Sequence, residues 1–291
     1  EARSEIHLLT TEVASLRDLL GYTQSEIRDL HNEIARLHQI SADYALSTSW
    51  KITAPVRAAA SVVRRIRGKA TPLTGDEGIS YEEWRTRFAT PGKGDLRAIR
   101  ADAATTDGPL ISVLMPVYNP PASVLRRAVE SVIEQIYPRW ELCIADDAST
   151  DPDVPEVLEA CRALDARIRV VTREQNGHIS AASNSALEIA RGDSVALLDH
   201  DDELAPEALW VAAKEITRDP DVNILYSDED KLDYVARRYD PFFKTPFDPA
   251  LILGQNFICH LGIYRRSLVD EVGGFRMGYE GSQDYDLALR C

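Results

Sequence analysis

The chain has 291 residues, of which 44% are hydrophobic, and its formal net charge is -14. This length allows one large or two ordinary domains, and the hydrophobic share is enough for a core, which excludes disorder throughout. The acidic balance excludes a nucleic-acid-binding protein that works by bulk electrostatics, because such a protein needs a positive face.

Cysteine spacing and hydropathy bear on the compartment. The four cysteines have neither the close pairing of metal ligands nor the density of a disulfide scaffold, so we expect buried thiols in a reducing cytosol. No apolar stretch reaches the roughly 18 residues that a membrane-spanning helix needs, and we recognise no secretory signal peptide. Because the sequence ends inside a predicted helix, we expect it to be a fragment of a longer protein.

Residues 1–48 carry a heptad pattern. Apolar residues recur at alternating steps of three and four from residue 6 to residue 44. A seam sustained over more than three heptads predicts a coiled coil, with an isolated amphipathic helix as the alternative. Mostly branched residues at the first seam position and mostly Leu at the second favour two parallel strands, so we predict a homodimer. Thr23 and Ser41 weaken the seam, which leaves a trimer open.

Residues 49–70 form a basic segment in an otherwise acidic chain. Six Lys and Arg residues and no acid occur between Ser49 and Lys69. Past Pro55, which suits a helix start, apolar residues can share one face while arginines occupy the other. This pattern predicts a helix that lies on an anionic membrane surface, or one that docks on the protein's own acidic surface.

Residues 71–108 resemble a linker in composition, being rich in Gly, Thr, Asp and Pro. One short helix is predicted within this linker, at residues 81–88. The segment indicates little about function.

Predicted strands and helices alternate along residues 109–291. We expect strands at residues 110–115, 140–145, 168–172, 194–198, 222–226 and 261–264. Helices are expected between the first four strands, at residues 123–135, 154–164 and 180–191. Strands that alternate with helices of this length imply right-handed crossovers, so the predicted fold class is α/β, with a Rossmann-like, doubly wound, mostly parallel sheet.

The fourth predicted strand ends in a run of acids. Its apolar residues 195–198 are followed by Asp199, Asp201 and Asp202. In open α/β sheets ligands bind beyond the carboxyl ends of the strands, and a hard cation would relieve the repulsion between carboxylates this close. A solvated acidic turn that caps the helix starting near Pro206 is the alternative.

Polar side chains follow the other predicted strands as well. Acids and amides occur in residues 116–119, 146–151, 173–178 and 227–230, and we expect them to converge on one crevice. A Gly-x-Gly-x-x-Gly loop is absent after the first strand, which argues against a dinucleotide oxidoreductase. A cation on Asp199 and Asp201 could hold a diphosphate instead, and the rest of the crevice could hold a base and a ribose.

Five ordered motifs resemble glycosyltransferase family 2. They are Ile-Ser-Val-Leu-Met-Pro-Val-Tyr-Asn from Ile111, Ile-Ala-Asp-Asp-Ala-Ser-Thr-Asp from Ile144, Asn-Gly-His-Ile-Ser-Ala-Ala-Ser-Asn from Asn176, Leu-Asp-His-Asp-Asp from Leu198 and Gly-Ser-Gln-Asp-Tyr-Asp-Leu-Ala from Gly281. The resemblance covers residues 109–291 and implies the GT-A fold and inverting transfer of a sugar from a metal-bound nucleotide diphosphate. The run from Thr48 also resembles a segment found ahead of such domains in bacterial O-antigen and surface-polysaccharide transferases.

The resemblance implies a donor site and a metal site. The donor residues would be Pro116, Tyr118 and Asn119 beside the nucleotide, Asp146 or Asp147 at the base or ribose, and Asn176 nearby. Asp199 and Asp201 would match the family's Asp-x-Asp motif, with Asp201 as the direct ligand of Mg²⁺ or Mn²⁺ and Asp199 nearer the ribose or sugar. Many relatives have Arg where this chain has Ser183, which puts a cationic contact to the diphosphate or base in doubt.

The resemblance also implies a catalytic base, which we assign to Asp284. Ser282 is a suitable N-cap, which would place Asp284 in the first turn of a helix, where the positive end of the macrodipole favours an ionised carboxylate. Asp286 is the alternative, although two positions along a helix it should point away from the target of Asp284. The family often has Glu-Asp here, whereas this chain has Gln283 before Asp284.

Two histidines lie close to these motifs. His200 separates the two predicted metal ligands, but alternation along an extended chain would turn it to the opposite side, so we do not expect it to be a ligand. His260, near the sixth predicted strand, would line the acceptor side or simply pack. Aromatic residues and prolines within residues 241–249 predict a loop over the acceptor region.

These features predict an inverting, metal-dependent glycosyltransferase that builds a surface polysaccharide or lipid-linked glycan at the inner face of the cytoplasmic membrane. Its expected partners are a nucleotide-diphosphate sugar, a glycan acceptor and a second copy of the chain, but not nucleic acid. A sugar-nucleotide nucleotidyltransferase is one alternative, although a glycine-rich, basic triphosphate loop is missing. A coiled-coil scaffold with an inactive transferase-like domain is another, although Asp201 and Asp284 are both present.

Overall fold

A computed structural model describes residues 80–291, apart from residues 234–235 and the side chain of Lys93. The predicted coiled coil in residues 1–48, the dimer it would form and the basic helix in residues 49–70 lie outside the described residues. The described residues belong to one compact unit that begins at Ile79 and ends at Cys291. No helix within this described part of the chain is both long and apolar enough to span a membrane.

Eight strands occur in this unit. They are β1 Ile111–Val117, β2 Trp140–Asp146, β3 Ile168–Thr172, β4 Ser194–Leu197, β5 Ile224–Tyr226, β6 Glu229–Leu232, β7 Arg238–Phe242 and β8 Gly262–Arg265. Six of them form a sheet in the order β3-β2-β1-β4-β8-β5, while β6 and β7 form a separate hairpin. The first four strands are parallel, and β8 runs antiparallel to both of its neighbours. The predicted mostly parallel α/β sheet is therefore confirmed, with β8 as its reversed strand.

Eight α-helices accompany the strands in the described residues. They are α1 Tyr81–Trp84, α2 Lys93–Thr105, α3 Ala122–Ile133, α4 Asp153–Leu164, α5 His178–Ile189, α6 Ala208–Arg218, α7 Arg266–Glu271 and α8 Gln283–Arg290. A π-helical turn, Arg85–Ala89, continues α1. Helices α3, α4 and α5 confirm the three crossover helices that were predicted between the first four strands.

The sheet is buried on both faces, which explains why β1 is apolar along almost its whole length. Side chains alternate across the pleat, so Ile111, Val113 and Met115 join the core beneath α3, α4 and α6. Leu114 joins a second core on the opposite face, together with side chains of α5, α7 and α8. The two cores hold the strands rigidly, and the loops at the strand ends are free to carry polar groups.

The predicted linker contains more structure than expected. The short helix at residues 81–88 is present as α1 and its π-helical turn, but a second helix, α2, was missed. The start of α2 has Gly92 and Gly94, which resemble linker composition, yet Asp95 accepts a hydrogen bond from the Gly92 N–H at 3.0 Å and so caps the helix. Asp102 attaches α2 to α6 by accepting a hydrogen bond from Trp210 Nε1 at 2.8 Å.

The hairpin β6–β7 was also missed, because the acids and prolines in this region favoured a loop. It is held against α1 by a hydrogen bond of 2.6 Å from the Tyr81 hydroxyl to Asp230 Oδ2. The rings of Trp84 and Phe243 also meet edge to face, with their centroids 4.9 Å apart. The segment before the predicted domain boundary therefore packs on the edge of the domain.

Candidate active site

The loops after β1 to β4 border a cavity of about 460 Å³ at the carboxyl edge of the sheet. Its lining includes most of the predicted donor and metal residues: Pro116, Tyr118, Asp147, Asn176, Asp199 and Asp201. The parallel register of the strands thus brings together side chains that are far apart in the sequence. Two predicted donor residues, Asn119 and Asp146, are not part of this lining.

The two acids after β2 have different surroundings. The buried Asp147 accepts a hydrogen bond from Arg173 Nε at 2.8 Å and another from the Gly177 N–H at 3.0 Å. Asp146, also buried, accepts a hydrogen bond from the Ser149 N–H at 3.1 Å and so closes the turn after β2. Of the two alternatives left by the sequence, Asp147 reaches the cavity and Asp146 shapes the loop beside it.

Asn119 connects the loops after β1 and β2. Its backbone is left-handed, with φ of 47°, a conformation that Asn tolerates better than most residues. Its Oδ1 accepts hydrogen bonds from the N–H groups of Thr150 at 2.8 Å and Asp151 at 2.9 Å. The side chain is thus engaged with the neighbouring loop, and it supports the cavity wall beside Tyr118.

Asp199, Asp202 and His260 form the cluster best suited to hold a metal ion among the described residues. Their potential ligand atoms all lie within 4.8 Å of one another, and His260 Nδ1 is 3.4 Å from Asp202 Oδ2. Burial raises the pKa of both carboxyl groups, and the neighbouring carboxylates add to this effect while His260 opposes it. The cluster is therefore a place where negative charge is costly unless a cation is bound.

The grouping of Asp199 with Asp202 differs from the predicted pair of Asp199 and Asp201. The chain turns immediately after β4, and the Asp202 N–H donates a hydrogen bond to the Asp199 carbonyl at 3.2 Å. Such a turn brings residues three positions apart together, whereas the prediction assumed an extended chain. Asp201 is exposed and borders the first cavity without joining the cluster.

The same turn corrects the predicted orientation of His200. Its side chain borders the first cavity together with Asp199 and Asp201, so the expectation that alternation would turn it away is wrong. The ring Nδ1 lies 3.2 Å from the Pro116 carbonyl oxygen, to which it donates when that nitrogen is protonated. His200 therefore links the turn after β4 to the loop after β1.

A second cavity, of about 280 Å³, adjoins the first, because both are bordered by Pro116, Ile179 and Asp199. His260 and Asp284 also line this second cavity. Asp284 lies in the first turn of α8, where Ser282 is the N-cap residue, although the Ser282 side chain makes no capping hydrogen bond. Asp284 Oδ2 accepts a hydrogen bond of 2.6 Å from Asn256 Nδ2.

Asp286, the alternative base, has a structural role. It is buried and accepts hydrogen bonds from Arg276 Nε at 3.0 Å and Arg290 Nε at 2.9 Å. These two arginines hold the pKa of Asp286 below its ordinary value, and the hydrogen bond from Arg276 has the larger effect. Because its oxygens are already paired, Asp286 is poorly placed to accept a proton from a substrate, whereas Asp284 borders the cavity.

The third motif also contributes a structural contact. Asn184 accepts a hydrogen bond from the Phe275 N–H at 2.9 Å and donates one to the Phe275 carbonyl at 2.8 Å. Gly274 has a φ of 69°, and a Cβ there would lie 2.6 Å from Asn184 Oδ1, so only glycine fits. The neighbouring Ser183, which replaces an Arg of many relatives, lines the second cavity.

Several residues of this region were missed in the sequence. Asp202 lies inside a recognised motif but was not predicted to be a metal ligand. A turn predicted at residues 199–202 could have indicated that it lies close to Asp199. Asn256 and Lys244 follow no local pattern, because their partners are distant in the sequence. Lys244, whose side chain is only 1% exposed, donates hydrogen bonds to Glu229 Oε2 at 2.9 Å and to the Ile258 carbonyl at 2.6 Å.

Residues 112–273 match the family described as Glycosyl transferase family 2. The match spans more than half of the chain and includes all but the first residue of β1, the other seven strands named above and the cluster of Asp199, Asp202 and His260. The chain therefore belongs to glycosyl transferase family 2.

Two curated relatives are similar in sequence. An uncharacterized protein of Sinorhizobium fredii, y4gI, is 55% identical over 185 residues, which are 64% of this chain and 20% of that protein. The O-antigen biosynthesis protein RfbC of Myxococcus xanthus is 37% identical over 193 residues, or 66% of this chain and 15% of that protein. The chain thus corresponds to a fifth or less of the length of either relative.

The solved structure of residues 1–349 of TarS from S. aureus has a similar fold. The two superimpose with a TM-score of 0.51 and are 26% identical, over 62% of this chain and 54% of the TarS chain. This similarity confirms the predicted GT-A fold for the described domain.

Proposed function

We propose that this domain is an inverting, metal-dependent glycosyltransferase that moves a sugar from a nucleotide-diphosphate donor to a growing surface polysaccharide or lipid-linked glycan. The observation that carries the proposal is the position of Asp199 between two cavities. It borders the cavity at the ends of β1 to β4 and also the cavity that contains Asp284. A donor that lies across Asp199 would have its nucleotide in the first cavity and its sugar facing Asp284.

The first cavity suits a nucleoside. Tyr118 offers a partly exposed ring, and Asn176 and Asp147 offer amide and carboxylate groups that can bond a base or ribose hydroxyls. Pro116 forms part of the apolar wall, and Asn119 and Asp146 hold the loops that carry these groups. Asp199, at the far end, is placed near the ribose or the sugar.

A divalent cation fits the cluster at the junction of the cavities. Asp199, Asp202 and His260 would hold it, with Asp201 as the other candidate carboxylate beside them. Carboxylate oxygens suit Mg²⁺ and Mn²⁺, and the imidazole favours Mn²⁺ over Mg²⁺, which prefers oxygen ligands. When bound, such a cation stabilises the negative charge that develops on the leaving diphosphate.

Asp284 supplies the general base. Its carboxylate lies in the first turn of α8 and borders the second cavity, where it can accept the proton of an acceptor hydroxyl. As that oxygen bonds to the anomeric carbon, the bond from this carbon to the diphosphate oxygen breaks, and the proton moves to Asp284. A single displacement of this kind inverts the configuration at the anomeric carbon.

The acceptor and the setting of the reaction follow from the relatives and from the N-terminal sequence. RfbC is named for O-antigen biosynthesis, which supports a polysaccharide or lipid-linked glycan as the acceptor. The basic segment in residues 49–70 would bring the domain to the inner face of the cytoplasmic membrane, and the coiled coil in residues 1–48 would pair two copies.

Product analysis tests the proposal. The protein is first screened by thermal shift against nucleotide sugars with and without Mn²⁺, because ligands that bind the native state raise its melting temperature. The stabilising donor is then incubated with Mn²⁺ and acceptor glycans. We expect release of a nucleoside diphosphate that stops when the metal is chelated. Release of pyrophosphate would instead indicate nucleotidyl transfer, and the absence of donor binding would indicate an inactive domain.

A further inference from the structure

Asn256 lies in the loop before β8, half-buried beside the N-terminus of α8. The orientation of its amide is set by the backbone around it. Oδ1 accepts hydrogen bonds from the N–H groups of Ile258 at 3.2 Å and Cys259 at 3.3 Å. Because an N–H needs an acceptor, the oxygen must face these two groups, and the amide nitrogen must face the opposite way.

The amide nitrogen meets Asp284. Asn256 Nδ2 donates to Asp284 Oδ2 at 2.6 Å, a hydrogen bond to a charged acceptor, which is stronger than one between neutral groups. Within the described residues, Asp284 Oδ1 has no hydrogen-bond partner, so it is the oxygen available to a substrate hydroxyl. The contact therefore fixes one carboxylate oxygen and leaves the other for chemistry.

The loop that carries Asn256 is itself anchored. Lys244 donates to the carbonyls of Ile258 and His260, and Glu229 accepts a hydrogen bond from the His260 N–H at 3.1 Å. On the other side, the Tyr285 hydroxyl donates to the Ile252 carbonyl at 2.5 Å, which ties α8 to the same loop. Asn256 is thus a fixed donor on a fixed support, as the orientation of a catalytic group requires.

We propose that Asn256 is a positioning residue that holds the Asp284 carboxylate in place, with its second oxygen aimed at the acceptor hydroxyl. This inference rests on the proposed function of Asp284 as the general base. A hydrogen bond to the charged form of a carboxyl group favours that form. Asp199, Cys259 and Tyr264 also interact electrostatically with Asp284, but the hydrogen bond that its carboxylate accepts among the described residues comes from Asn256.

Two substitutions distinguish a positioning role of Asn256 from a purely structural role in the loop before β8. Asn256→Asp keeps an oxygen that can accept from Ile258 and Cys259 but replaces the donor with a second negative charge. Asn256→Ala removes both functions. We expect both variants to remain folded at the assay temperature, although the two adjacent carboxyl groups of Asn256→Asp repel each other, and kcat to fall by about 10- to 100-fold, the effect of losing one hydrogen bond to a charged group. KM for the donor and the Kd for Mn²⁺ should stay unchanged.

The pH profile is the second readout. Without the amide donor, the neutral form of Asp284 is favoured, so the acidic limb of the kcat profile should move to higher pH, further in Asn256→Asp than in Asn256→Ala. Carbon-13 NMR of the Asp284 carboxyl should show the same shift without turnover. Asn223→Asp makes the same chemical change at an exposed position in the loop before β5 and serves as the control.

The outcomes distinguish this inference from the proposed function. If Asn256→Asp keeps the wild-type kcat and pH profile, Asn256 is only a loop residue and the inference is overturned, whatever Asp284 does. If Asp284→Asn retains normal turnover, the base assignment fails, and with it any positioning role for Asn256. A loss of melting temperature in Asn256→Asp that accounts for the lost activity would also contradict the inference.

Discussion

The two halves of the sheet hold their polar side chains in different ways. On the side of β1 to β3, two key polar groups are already paired within the protein: Asp147 with Arg173 and Gly177, and Asn119 with Thr150 and Asp151. On the side of β4 and β8, Asp199 and Asp202 crowd together, and Asp284 has one oxygen unpaired among the described residues. In the proposed function, the first half would form the surface that binds the donor, and the second half would hold the cation and accept the proton.

The largest effect is expected at the base. Asp284→Asn keeps the size of the side chain but cannot accept a proton, so we expect kcat to fall by about 10²- to 10⁴-fold, the usual range for loss of a general base. Donor affinity and melting temperature should change little, because the Asp284 side chain makes a single hydrogen bond among the described residues. Steady-state kinetics with circular dichroism measures both, and near-normal turnover in a folded variant would remove Asp284 from its role.

The next largest effect is expected on the stability of the loop before β8, which Lys244 anchors. Lys244→Met leaves two backbone carbonyls without this donor and Glu229 with only the His260 N–H, and breaking a buried ion pair costs about 3–5 kcal/mol of unfolding free energy. Urea denaturation checks this value. The control is Lys231→Met on the same hairpin, where the exposed pair with Asp240 predicts no measurable loss. Equal effects in the two variants would show that the loop is not anchored by Lys244.

A smaller effect should identify the metal ligands. Asp202→Asn is expected to weaken Mn²⁺ binding by about 10- to 100-fold or more, since even residues that only orient a ligand contribute this much. Asp201→Asn, on the exposed side of the turn, should have a much weaker effect. Calorimetric titration of the two variants compares them directly. If Asp201→Asn weakens Mn²⁺ binding more than Asp202→Asn does, the ligands are Asp199 and Asp201, as predicted from the sequence.

The smallest effect is expected in the donor half. Asn119→Ala removes acceptors for two N–H groups and places Ala at a positive φ, so it should cost about 1–3 kcal/mol of stability and raise KM for the donor with kcat unchanged. Asn119→Asp retains an acceptor oxygen and serves as the control. If Asn119→Ala lowers kcat instead, the division between the two halves is wrong.

The same division explains what could be predicted from the sequence. In the first half, buried strands are recognisable as apolar runs in the sequence. Parallel strands place the residues that follow them at one edge of the sheet, so Tyr118, Asp147 and Asn176 could be predicted to lie together there. In the second half, the chain turns at residues 199–202 and is not extended as assumed, so Asp199 is grouped with Asp202 rather than with Asp201. Asn256 meets Asp284 across 28 residues, and neither periodicity nor local spacing predicts such a contact.

Anomalous diffraction at the manganese edge, from crystals grown with Mn²⁺ and the nucleoside diphosphate of the stabilising donor, tests the central claim most directly. We predict one strong peak between Asp199, Asp202 and His260, with the nucleoside against Asp147 and Asn176 and the diphosphate directed towards the cavity of Asp284. A peak elsewhere, or a nucleotide bound outside the two cavities, would contradict the proposal that this crevice carries out sugar transfer.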